Sequence, residues 1–168
     1  MNLRELNTCD RASFVAALGG IFEHSPWVAE RAGDARPFAT IDALHAAMMR
    51  AVREAPDEKQ FALLRAHPEL AGKAAVRGEL TADSTREQAG AGLHQCSPEE
   101  FGRLTALNAA YNEKFGFPFI LAVKGHDRAS TLREFARRVE NDRATEFEEA
   151  LAQVARIARF RLDTLITG

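Results

Sequence analysis

Apolar residues spaced three and four apart recur along almost the whole chain, and capping residues stand at the head of most of these stripes. That period lays side chains along one face of a helix, whereas a half-buried strand needs strict alternation. Asp10 heads the stripe Phe14, Val15, Leu18, Ile21 and Phe22, within which Gly19-Gly20 marks close packing or a bend. Ser25-Pro26 reads as N-cap and first helical residue of a short helix carrying Trp27 and Val28. Thr40 heads Ile41, Leu44, Met48 and Val52, a stripe that stops before Pro56. With no alternating pattern, internal repeat or low-complexity linker, the chain predicts an all-α fold. It is read as a single-domain bundle of roughly eight helices over residues 1–168.

The second half continues the pattern with one break. Residues 57–66 predict a helix that ends near His67, because the residue before a proline is pushed out of the α region. Ser84-x-x-Glu87 has capping-box spacing, predicting a helix from 84 through Gln88 towards Leu93. Ser97-Pro98-Glu99-Glu100 opens a long helix through Phe101, Leu104, Asn108, Tyr111 and Phe115. FGFPFILAV then interrupts the helical period with a turn and a short apolar run, extended or helical. Helices at about 130–141 and 144–166 finish the chain, the last striped by Phe147, Leu151, Val154, Ala158, Arg161 and Leu165.

Composition removes several function classes. A length of 168 residues suffices for one unstapled core, and 46% hydrophobic with 27% charged residues is the balance of a globular protein. A net charge of −2 gives no basic patch for nucleic acid, so no nucleic-acid partner is expected. No apolar run approaches the length of a membrane span, and MNLRELNTCDRAS lacks the apolar core of a signal peptide. Cys9 and Cys96 form no C-x-x-C pair and read as reduced thiols. A cytoplasmic protein without membrane association is the expectation.

Three polar features stand out against this scaffold. His67 is locked against Pro68 and followed by Leu70-Ala71-Gly72 rather than by a solvated loop. A fixed imidazole suits acid–base work; the plainer alternative is a cation at a helix C-terminus. Glu87 and Gln88 precede Ala89-Gly90-Ala91-Gly92, small enough for a ligand to approach the backbone; alternatively Ser84 and Glu87 only cap the helix. Arg161 lies on the apolar stripe, where it needs a ligand, an internal carboxylate or a snorkelling path to water. His24, His45, His94 and His126 show no ligand spacing, so no metal is expected. No phosphate-binding glycine loop or G-x-S-x-G is present.

Taken as an ordered set, these residues resemble the OHCU decarboxylase family, which acts on 2-oxo-4-hydroxy-4-carboxy-5-ureidoimidazoline (OHCU) in urate degradation. The resemblance runs through FVAALGGIFEHSPWVAERA (14–32), RAHPELAGK (65–73), LTADSTREQAGAGL (80–93), LNAAYNEKFGFPFILAVKG (107–125) and RFRL (159–162). Glu69 departs from it, since aspartate is commoner there. The resemblance implies an all-helical, cofactor-free carboxy-lyase, often a homodimer, that takes the small molecule OHCU to (S)-allantoin and CO2. It implies that His67 is the catalytic proton donor and that Glu87 joins it in the site. It further implies substrate contacts at Pro68, Ser84, Thr85, Arg86, Glu87, Gln88, Phe119, Ile120, Leu121, Ala122, Val123 and Arg161. Two other readings of the chain are a helical protein-interaction module, in which these motifs are only caps, and a cofactor-free hydrolase of a related ureido compound. A binding module has no reason to point Arg161 into its core.

Overall fold

The computed structural model describes residues 1–168 and contains α-helices, two 3-10 turns and no strand. The helices are α1 (Leu3–Thr8), α2 (Arg11–Leu18), α3 (Trp27–Ala32), α4 (Ile41–Glu54), α5 (Asp57–Arg65), α6 (Lys73–Val76), α7 (Ala82–Gly90), α8 (Pro98–Phe115), α9 (Arg128–Arg138) and α10 (Arg143–Leu165). The all-α expectation holds. The two helices beyond the expected eight are short: α1 has six residues and α6 has four. None is long and apolar enough to cross a membrane.

The caps explain where most helices begin. Asp10 accepts from Ser13 N at 2.7 Å, Thr40 from Ala43 N at 3.0 Å and Ser97 from Glu100 N at 3.1 Å, each satisfying an orphan amide of its first turn. Three starts or stops differ from the sequence reading. Helix α2 ends at Leu18, so Ile21 and Phe22 lie in the turn that follows. A Cβ on Gly19 would stand 2.7 Å from the Val15 carbonyl oxygen and 3.4 Å from Pro26 Cβ, which is why glycine sits there. Pro26, not Ser25, occupies the N-cap position of α3; the Ser25 hydroxyl donates instead to the Glu23 carbonyl at 2.9 Å.

The third difference is at α7. Thr81, not Ser84, is its N-cap, with Thr81 Oγ1 accepting from Ser84 N at 3.2 Å. The capping box proposed for Ser84 and Glu87 is therefore absent. In the helix that starts at 82, Ser84 and Gln88 are four residues apart on one face, and both are buried.

The chain divides into two compact units. The first holds residues 1–66 and 154–168, with a core that includes Leu6, Phe14, Val28, Leu44, Met48, Leu64, Val154 and Leu162. There α1 is tied down by Arg36, which donates to the carbonyls of Leu6 (3.3 Å) and Cys9 (2.7 Å) and lies over the Phe14 ring. The second unit holds residues 67–153. At its centre Tyr111 packs edge-on against Phe117, Phe119 and Phe135, and Phe119 stacks on Phe135 with centroids 3.9 Å apart.

Candidate active site

His67 is the first residue of the second unit and is buried. It leaves α5 one residue past that helix's C-cap, and Pro68 behind it restricts the backbone. The loop from 67 to 72 has no regular structure, so its buried amides and carbonyls need side-chain partners. Gln88 supplies two: its Oε1 accepts from Ala71 N at 2.9 Å and its Nε2 donates to the Glu69 carbonyl at 3.3 Å. Asn108 Nδ2 donates to the Leu70 carbonyl at 3.1 Å. Asn112 Nδ2 donates to Glu69 Oε1 at 2.7 Å.

This clamp holds a strained turn. Ala71 has φ +50°, a left-handed conformation that residues with a Cβ rarely adopt, and such strain persists only where surroundings fix it. Glu69 folds back so closely that a Cβ on Gly72 would stand 2.6 Å from Glu69 Cβ. The outcome is an imidazole carried on a short, rigid and buried segment, which general acid–base chemistry requires.

Helix α7 splits the candidates it carries by face. Ser84 and Gln88 are buried and Glu87, three residues after Ser84, is half-buried on the same side. Thr85 and Arg86 are exposed; Arg86 pairs with Asp83, and the Thr85 hydroxyl donates to the Thr81 carbonyl at 2.9 Å. Glu87 lies beyond the first turn and cannot serve as a cap partner, so the capping explanation of its presence falls.

Phe119, Ile120, Leu121, Ala122 and Val123 are all buried in an irregular segment, neither helix nor strand. It too is held by side chains: Arg138 Nη1 donates to the Ile120 carbonyl at 2.5 Å, and Ala122 N donates to Gln153 Oε1 at 2.9 Å. Arg138 is fully buried and ion-paired with Glu146, equally buried, with Nε 2.6 Å from Oε1. Glu146 also accepts from Tyr111 Oη at 2.7 Å and from Asn141 Nδ2 at 3.1 Å. Burial, then the bond to Glu146, pushes the Tyr111 phenol far above its ordinary pKa. A buried ion pair needs further hydrogen bonds; Tyr111, Asn141 and the Ile120 carbonyl supply several, while Arg138 Nη2 has only its ionic contact with Glu146. Arg138 and Glu146 were not foreseen from the sequence, although Arg138 is in phase with buried Thr131 and Phe135, the signal that singled out Arg161.

Arg161 belongs to the first unit. It is buried, with Nη2 2.9 Å from Glu23 Oε1 and Nη1 donating to the Ile21 carbonyl at 3.3 Å. The internal carboxylate foreseen as one alternative therefore exists, and it is Glu23. No group of three or more His, Cys, Asp or Glu side chains is gathered as a metal site.

Residues 7–163 match the family model described as OHCU decarboxylase. A protein of Haloferax volcanii named 2-oxo-4-hydroxy-4-carboxy-5-ureidoimidazoline decarboxylase is 46% identical, over 96% of this chain and 94% of that protein. A protein of Halalkalicoccus jeotgali with the same name is 41% identical, over 98% of this chain and 92% of that one. Among solved structures, one described as (S)-allantoin synthase superposes with a TM-score of 0.81 at 32% identity, covering 99% of this chain and 54% of that one.

Proposed function

The chain belongs to the OHCU decarboxylase family, and from that premise we propose that it decarboxylates OHCU to (S)-allantoin and CO2 in urate degradation, as a cofactor-independent carboxy-lyase. The observation that carries this reading is the near-complete family match, which runs through the buried, clamped His67 loop. We further read residues 1–168 as one functional domain, working in the cytoplasm as a homodimer.

The chemistry asks little of the protein beyond placement. Breaking the bond to the departing carboxylate leaves an electron pair on the ring carbon, and the conjugated ring of the substrate can accept it. CO2 departs and the pair passes into the neighbouring C=N bond; the hydroxyl proton moves to that nitrogen as its carbon becomes the carbonyl, and the adjacent, ureido-bearing carbon takes one proton. His67 is the proposed donor of that proton, delivered to one face so that a single enantiomer forms. Glu87, relieved of any capping duty, either orients His67 or holds ring N–H groups. Pro68 and the α7 residues Ser84, Thr85, Arg86 and Gln88 are proposed to line the substrate, with Ser84 and Gln88 on the buried face. Backbone groups of Phe119 to Val123 suit the ring amides, and Arg161 is proposed to hold a carbonyl of the ring or ureido group.

The direct test is to generate OHCU freshly and follow it by circular dichroism and chiral analysis, with and without the protein. The expected result is faster loss of substrate and accumulation of (S)-allantoin only with protein. Equal rates and racemic product in both samples would overturn the proposal.

A further inference from the structure

We propose that Glu23 sets the charge that Arg161 presents to a ligand, so that this position favours an uncharged carbonyl over a carboxylate; the inference rests on reading Arg161 as a substrate residue. Glu23 Oε1 lies 2.9 Å from Arg161 Nη2, and the two side chains are only 1% and 5% exposed. At that burial, solvent screens the pair little, and the carboxylate offsets part of the guanidinium's attraction for an anion. An approaching carboxylate meets Glu23's repulsion along with Arg161's attraction. A neutral carbonyl needs only an N–H dipole and loses far less.

The backbone places Glu23 for this. Its neighbour His24 adopts φ +48°, which turns the chain so that Glu23 faces inward while the His24 side chain is exposed. Ser25 N donates to the Phe22 carbonyl at 3.1 Å and Ser25 Oγ to the Glu23 carbonyl at 2.9 Å, closing the turn. The same turn supplies the Ile21 carbonyl to Arg161 Nη1. His24 Nε2, also ionisable, lies 4.0 Å from Glu23 Oε2. An arginine whose attraction for anions is partly offset also fits the reaction. An arginine clamped on the departing carboxylate would favour the ground state and lose its contact as CO2 forms.

The test measures dissociation constants by calorimetry, at one pH and ionic strength, for neutral allantoin and for the anion hydantoin-5-acetate. Wild type, Glu23→Gln, Glu23→Asp and Arg161→Lys are compared, each with its melting temperature. Glu23→Gln should shift the ratio of the two constants at least tenfold in favour of the anion. Glu23→Asp keeps the charge on a shorter arm and should shift it a few-fold the same way; it decides the matter if Glu23→Gln does not fold. An unchanged ratio in the folded Glu23 variants, while Arg161→Lys weakens binding of either ligand, would overturn the role of Glu23 and leave Arg161 in the site. Unchanged binding in all variants would remove Arg161 from the site and the inference with it.

Discussion

The pair of Arg138 with Glu146 and the pair of Arg161 with Glu23 set the same two side-chain types together out of water. Arg138 and Glu146 are eight residues apart, and Tyr111, Asn141 and the Ile120 carbonyl add hydrogen bonds that tie the pair to three other parts of its unit. Arg161 and Glu23 are 138 residues apart, and Glu23 is presented by a turn with a left-handed residue next to it. The first arrangement fixes a buried irregular backbone. The second fixes a guanidinium. On the proposal that Arg161 meets substrate, an arginine against a glutamate serves as scaffold in one unit and as site in the other, and burial does not tell the two apart.

The largest expected effect breaks the fully buried pair of Arg138 and Glu146. Arg138→Met leaves Glu146 buried without its cation and frees the Ile120 carbonyl, a loss of about 3–5 kcal/mol. Thermal melting should fall by roughly 6–20 °C for a chain of this size. A variant that melts like wild type would dissolve the contrast. Next, Arg161→Lys keeps a charge beside Glu23 but loses the planar fork. Steady-state kinetics should show kcat/KM down by at least tenfold, about 1.4 kcal/mol, with a melting shift of only a few degrees. A large melting loss with normal turnover would make this pair scaffold as well.

The smallest effect separates cap from site on α7. Thr81→Ala should cost about 1 kcal/mol of stability, read by denaturant melts, because Thr81 holds the first turn. Glu87→Gln should leave stability nearly unchanged while lowering turnover. If Glu87→Gln melts earlier than Thr81→Ala and turns over normally, Glu87 returns to the scaffold.

Much of this was legible because helices announce themselves locally. Asp10, Thr40 and Ser97 each bond an amide three residues on, so a short window contains the whole signal. Helix α1 carried the same signal in Asn2 and Glu5, whose reciprocal bonds are both 2.9 Å, but it has too few residues to show a stripe. At α7 two signals overlapped, Thr81 to Ser84 and Ser84 to Glu87, and local spacing cannot choose between them. The contacts of Gln88 with Ala71 and Glu69 accompany the earlier start, and they lie 17 and 19 residues away. The segment from 119 to 123 was ambiguous for the same reason, since Arg138 and Gln153 hold it from other helices. His67 was visible from His-Pro; the clamp on its loop was not, because Gln88 stood out only as a site candidate and Asn108 sits on a helix stripe like any core residue.

A proton delivered from the clamped His67 loop is the centre of the proposed reaction. The measurement that tests it most directly is the rate and enantiomeric composition of allantoin formed from fresh OHCU by His67→Asn, with far-ultraviolet circular dichroism confirming the fold. The predicted result is a helical protein whose rate falls by about 10²–10⁴-fold, with product drifting towards the racemate of the spontaneous reaction. Wild-type rate and pure (S)-allantoin from that variant would contradict it.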